Sequence, residues 1–204
     1  MSIGYIALGV PALTEFIMQL LKIGAIKTVE FPSGWIESSP SAGAKVGLAW
    51  ERVFSNKDYH QAEIVFKYRG VPIDEASRKV LNFLFGQIAN HTEFELDKEQ
   101  ILALHTVFGV ATIGDNQYTN SNTPGSLEGP RFHLEYAAIQ SLSGRPILRV
   151  KGDFANGSKY DGIFYLAGGD GRVVEEFFLQ RSERYSGGGA ANEFIQVLNS
   201  IVWN

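Results

Sequence analysis

Arg131, His133 and Glu135 take alternate positions in the run Arg131-Phe132-His133-Leu134-Glu135-Tyr136. A strand sends every second side chain to the same face, so this spacing sets a guanidinium, an imidazole and a carboxylate side by side, with Phe132, Leu134 and Tyr136 facing the other way. An imidazole beside a carboxylate is the pairing that a general base and its orienting acid require, and Arg131 can hold an anion next to them. Arg149, Lys151 and Asp153 alternate in a second run and extend the same polar face if the two runs are neighbours. The plainer account is a solvated or helix-covered sheet face whose charges pair across strands. No nucleophile or second constellation accompanies the three residues to favour catalysis over it.

The other histidines add little. His60 and His91 fall in turn-like segments, His105 borders the apolar stripe of a helix, and no two histidines have the i, i+4 spacing of a helical zinc site. Asp170-Gly171 lacks the alternating acidic residues of a calcium loop. With no cysteine, thiolate metal sites, thiol nucleophiles and disulfides are excluded, and neither a Walker loop, a Gly-x-Gly-x-x-Gly run nor a Gly-x-Ser-x-Gly elbow is present. The expectation is no metal and no cofactor.

The elements that would carry these residues are strands. Residues 131–139 and 147–154 read as strands joined at Ser143-Gly144-Arg145, Asn156-Gly157 turns the chain into residues 160–167, and the glycine-rich 168–171 turns it again into 173–180. Each strand thus follows its neighbour in an antiparallel meander. After the glycines at 187–189, Phe194, Val197, Leu198, Ile201 and Val202 recur at helical spacing, which predicts a terminal helix packed across the sheet. Earlier, residues 26–31 form a strand, Pro32-Ser33-Gly34 a turn, and Trp35-Ile36 a short return near a sheet edge. Residues 46–54 and 62–68 pair as a hairpin. Asp74 caps a helix with the stripe Ala76, Val80, Leu81, Leu84, Phe85 and Ile88, and Asp97 with Gln100 forms a capping box for a second helix, Leu96 stapling onto Ile101. Residues 114–130, dense in turn formers, make a long loop, either a solvated connection or a lid.

Residues 11–23 are predicted to be an apolar core helix, with Leu13, Phe16, Ile17, Leu20 and Leu21 on one side and Pro11 in the first turn. No basic residue precedes it, which argues against a secretory signal, and the scarcity of Lys and Arg on its polar side argues against a membrane-surface helix. The whole chain of 204 residues is expected to form a single domain. Its net charge of -4 offers phosphate backbones no general attraction, so nucleic acid is an unfavourable partner. No integral membrane span is expected; a cytoplasmic location follows, with a peripheral membrane position as the alternative. The oligomeric state is left open.

Four segments resemble the PsbP/DcrB-like superfamily: Phe31-Pro32-Ser33-Gly34-Trp35, Gly144-Arg145-Pro146-Ile147-Leu148-Arg149-Val150, Val174-Glu175-Glu176-Phe177-Phe178-Leu179, and the terminal residues 194–203. Together they cover about half the chain in two blocks. The resemblance implies an α+β fold with a central, mainly antiparallel sheet between helices, an α/β/α sandwich, and a non-enzymatic accessory, assembly or chaperone-like binding protein with a protein partner. It brings no catalytic residues. On that reading Trp35, Trp50 and Tyr118 are the candidate binding contacts. The rival is a small-molecule or anion-binding enzyme on the Arg131, His133 and Glu135 face.

Overall fold

The computed structural model describes residues 16–20, 24–38, 50–88, 93–104, 107, 111–113, 116–118, 132–154, 157–167, 173–182 and 188–204. Most of these lie in strands. β1 (Phe16–Leu20), β2 (Ile26–Pro32) and β13 (Val202–Trp203) form a three-stranded sheet in the order β1-β2-β13. The large sheet contains β3 (Trp35–Ser38), β4 (Trp50–Asn56), β5 (Ala62–Pro72), β6 (Glu93–Glu95), β7 (Ala111–Ile113), β8 (Asn116–Tyr118), β9 (Phe132–Leu142), β10 (Arg145–Phe154), β11 (Ser158–Ala167) and β12 (Val173–Ser182). Its order is β3-β4-β5-β12-β11-β10-β9-β7-β8, with β6 also paired to β9. The meander β9 to β12 is antiparallel throughout and β12 continues antiparallel onto β5; β7 on β9 is a parallel pair. Among the described residues there are three helices, α1 (Glu75–Gln87), α2 (Lys98–Ala103) and α3 (Gly189–Asn199).

The long strands β9 to β12 bury side chains on both faces, and two apolar clusters result. One joins Ile64, Phe66, Ile163 and Phe177 of the large sheet to Val29 and Phe31 of β2 and to Phe194, Val197 and Leu198 of α3. Phe31 stacks on Phe54 at 4.4 Å between ring centroids, and Phe177 meets Phe194 at 5.7 Å. The other joins Val65, Leu148, Val150, Phe164 and Phe178 to Leu81, Leu84 and Phe85 of α1 and to Ile101 of α2. Each fully buried large side chain contributes about 1.5–3 kcal/mol from apolar surface removed from water. The helix caps hold, and of the expected α1 stripe Leu81, Leu84 and Phe85 are buried and Val80 and Ile88 partly so, whereas Ala76 is exposed and Ser77 is buried in its stead. Asp74 accepts from the Ser77 amide at 2.9 Å, and Asp97 and Gln100 form a reciprocal capping box.

Three expectations change. Where residues 11–23 were expected to be helical, Phe16–Leu20 is a strand paired in register with β2, from Phe16 opposite Pro32 to Leu20 opposite Thr28; residues 11–15 and 21–23 lie outside the described residues. A run so uniformly apolar satisfies either periodicity, and a neighbouring strand with free amides and carbonyls decides between them. The turn at Ser33-Gly34 does not fold β3 back onto β2 either. It carries the chain from the small sheet into the large one, where β3 pairs with β4. At the other end, α3 stops at Asn199, and Val202 and Trp203 leave helical geometry to pair with Thr28 and Ile26 of β2. The indole Nε1 of Trp203 donates to the Leu142 carbonyl at 2.8 Å, a bond that a continued helix would forgo.

Of the expected loop 114–130, Asn116–Tyr118 is strand β8, hairpinned to β7; the remainder, like His91 and His105, lies outside the described residues.

Candidate functional site

β9 and β10 position the polar residues named from the sequence. His133 is the direct cross-strand partner of Asp153, so the two side chains share a face. The register then shifts: Leu134 lies opposite Gly152 and Tyr136 opposite Lys151, which leaves Glu135 without a cross-strand partner. A bulge of this kind re-aims side chains. It defeats simple alternation, because Tyr136 joins the face of Lys151, whose ammonium sits 5.5 Å from the Tyr136 ring. Gly152 makes the close strand approach possible, since a Cβ there would fall on the His133 carbonyl oxygen.

The side chains of His133, Glu135 and Asp153 converge, their potential donor atoms all within 4.8 Å of one another. Lys159 on β11 spans the two carboxylates, with its Nζ 3.0 Å from Glu135 and 3.1 Å from Asp153. Burial works against the Asp153 charge, yet the hydrogen bonds it accepts from Lys159 and from Glu135, together with the Lys159 charge, outweigh it and hold its pKa below the usual carboxylate value. The same carboxylates raise the Lys159 pKa through their hydrogen bonds. His133 and Glu135 are exposed, and Asp153 is partly so. Beside this group Arg149 donates to Asp161 at 2.7 Å. The Tyr136 hydroxyl donates to Glu93, as does Gln140; burial and that carboxylate push the Tyr136 pKa up to about 12. Cross-strand charge pairing is therefore what the face displays. Arg131 lies outside the described residues.

A second feature lies between α1 and α2. Val80, Phe83, Leu84 and Ala103 line an apolar cleft of about 390 Å³, to which α1 also contributes Lys79 and α2 Glu99 and Gln100. Phe83 is 65% exposed, against 1% for Leu84 beside it. The aromatic thus stands open at the mouth of the cleft. His133 and Glu135 do not line it.

Of the candidate contacts, Trp35 is 1% exposed and its Nε1 donates to Glu193 of α3 at 2.7 Å, so its indole is committed to the core. Trp50 begins β4 and Tyr118 ends β8. Sequence reasoning missed Lys159 as the bridge, and also two buried carboxylates. Glu175 is 1% exposed and accepts from the Ala25 amide at 2.9 Å; Glu176 is 6% exposed and accepts from the Tyr160 hydroxyl at 2.6 Å. Burial raises the Glu175 pKa, the Ala25 amide opposing, and raises that of the wholly buried Tyr165 across the ladder. Two acids inside the apolar run Val173-Val174-Glu175-Glu176-Phe177-Phe178 were the available signal. Their positions on opposite faces of a strand covered on both sides demand burial of each.

No protein-family model matches the chain, and no curated protein matches it. Among solved structures it is similar to the solution structure of cyanobacterial PsbP (CyanoP) from Synechocystis sp. PCC 6803, at 11% sequence identity, with 96% of each chain covered and a TM-score of 0.48. Among the described residues, no helix is long and apolar enough to cross a membrane.

Proposed function

We propose that this chain is a non-enzymatic binding or assembly protein, chaperone-like in action, that receives an apolar segment of a protein partner between α1 and α2. The observation that carries this reading is the apolar cleft with Phe83 standing open at its mouth. Large exposed aromatics beside apolar clefts are favoured anchors for protein contacts. A cleft formed by two helices suits the apolar side of a third, seated as a helix in a groove. Lys79 on α1 and Glu99 on α2 give that occupant a direction, an acidic residue toward the first and a basic one toward the second. The reading includes a single domain in a cytoplasmic setting. It also includes an α/β/α arrangement, supported by the two clusters that join α3 to one set of sheet residues and α1 with α2 to the other.

Phe83→Glu supplies the test. The exposed position tolerates the charge, so the far-UV spectrum and thermal midpoint should match those of the parent chain. Proteins captured by the parent should be lost with Phe83→Glu and regained with Phe83→Leu. Equal capture by all three would remove the cleft from the account. A rival reading, an enzyme or anion-binding protein acting through Arg131, His133 and Glu135, draws support from the convergence of His133 and Glu135 with Asp153 and Lys159.

A further inference from the structure

We propose that His133, Glu135 and Asp153 form a site for one divalent transition cation of the zinc class, and that Lys159 is the built-in cation it must displace. The donors are of mixed type, one imidazole nitrogen and two carboxylate oxygens, all within 4.8 Å. Around zinc, donor bonds of about 2.0–2.2 Å place tetrahedral ligand atoms roughly 3.4 Å apart. Small rotations of exposed side chains close that difference without moving either strand. The backbone is already fixed for it: Asp153 faces His133 in the ladder, and the bulge releases Glu135 from cross-strand pairing. Sites carried on strands hold their geometry better than sites on loops.

Charge argues in the same direction. Two carboxylates meet a single ammonium, and Lys159 lies 3.0 and 3.1 Å from them, so it marks the point toward which both acids are directed. That point already holds a cation. One positive charge against two negative ones leaves the group short, and an imidazole lone pair, which an ammonium can meet only with a hydrogen bond, is a full ligand to a metal ion. A divalent ion satisfies all three groups at once. Lys159 has a flexible four-carbon stem and a side chain 27% exposed, which lets it swing into water when the ion arrives. The imidazole selects zinc, cobalt or nickel over calcium and magnesium, whose preferred ligands are oxygens alone. Three protein donors leave a fourth position open to solvent. Helical spacing rules did not find this set because its third donor comes from the next strand of the meander.

The test uses the full chain without a histidine tag, titrated with Co²⁺ while its visible absorption is recorded and with Zn²⁺ by calorimetry. One saturable site is expected. His133→Ala and Asp153→Asn should each weaken it by roughly tenfold or more, as ligand-shell changes do. Lys159→Met should strengthen it, because the competing charge is gone. That opposite sign separates a metal seat from a surface ion-pair cluster. Circular dichroism of each metal-free variant checks that the sheet is intact, and the two weakening changes leave Gly152 and the bulge untouched. Absence of saturable binding, or affinities unmoved by His133→Ala and Asp153→Asn, would overturn the proposal; so would weaker binding by Lys159→Met.

Discussion

Glu175 shows how a single buried carboxylate can set a pH dependence. Its environment raises the folded-state pKa above the ordinary 4.5, so just above that pH the folded chain binds more proton than the unfolded one. Stability therefore falls as pH rises through this interval. Glu175→Gln keeps an acceptor for the Ala25 amide and removes the charge, so the variant should gain on the parent chain between pH 4.5 and 7. Urea unfolding at the two pH values measures this, and a pH-independent difference would contradict it. Gly24 belongs to the same arrangement. It has φ +104°, and a Cβ there would lie 2.6 Å from a Glu175 oxygen, so the turn closes over the carboxylate only with glycine. Gly152 is a harder constraint, because its close neighbour is backbone. Gly152→Ala should cost about 2 kcal/mol by forcing β9 and β10 apart, read from denaturant unfolding. The candidate site was half legible from residue types. Alternation in 131–136 placed His133 and Glu135 together, but the bulge that brings Tyr136 to their face has no mark in local sequence; it arises from how β9 registers on β10.

α2 is six residues long and has too few internal hydrogen bonds to persist alone, so its capping box and buried Ile101 carry it. Asp97→Ala should lower stability by about 1 kcal/mol, and the loss should appear first as faster amide exchange at Leu102 and Ala103. This element could be read from sequence because its stop and start signals are local: Asp97, Gln100 and Leu96 lie within one turn. β1 and β13 could not. Both are short apolar segments whose helical spacing is genuine, and both become strands because β2 stands between them with both edges to fill. What decides their structure is a partner far away in the chain, which no window of neighbouring residues contains. The meander from β9 to β12 lies at the opposite extreme, since each turn delivers its strand to the one before.

At the scale of the whole molecule, the cluster that joins the two sheets centres on Phe177, which contacts Phe31 at 6.5 Å, Phe66 at 6.2 Å and Phe194 at 5.7 Å between ring centroids. One ring thus touches β2, β5 and α3. Phe177→Ala should cost about 3–5 kcal/mol and depress the thermal midpoint more than any cap change. Overall architecture was foreseeable to the extent that the mainly antiparallel sheet followed from the meander; the separate small sheet was not, because it is made of segments from the two ends of the described chain. The same closure has a consequence for synthesis. The Asn204 side chain donates to the Gly24 carbonyl across a separation of 180 residues, next to the pairing of β13 with β2. On the ribosome β2 emerges long before the strand that covers its second edge. Until that strand is made, the edge carries open amides and carbonyls, available to any extended peptide nearby. The small sheet seals only once β13 is in place, and a nascent chain is exposed to mispairing at that edge until then.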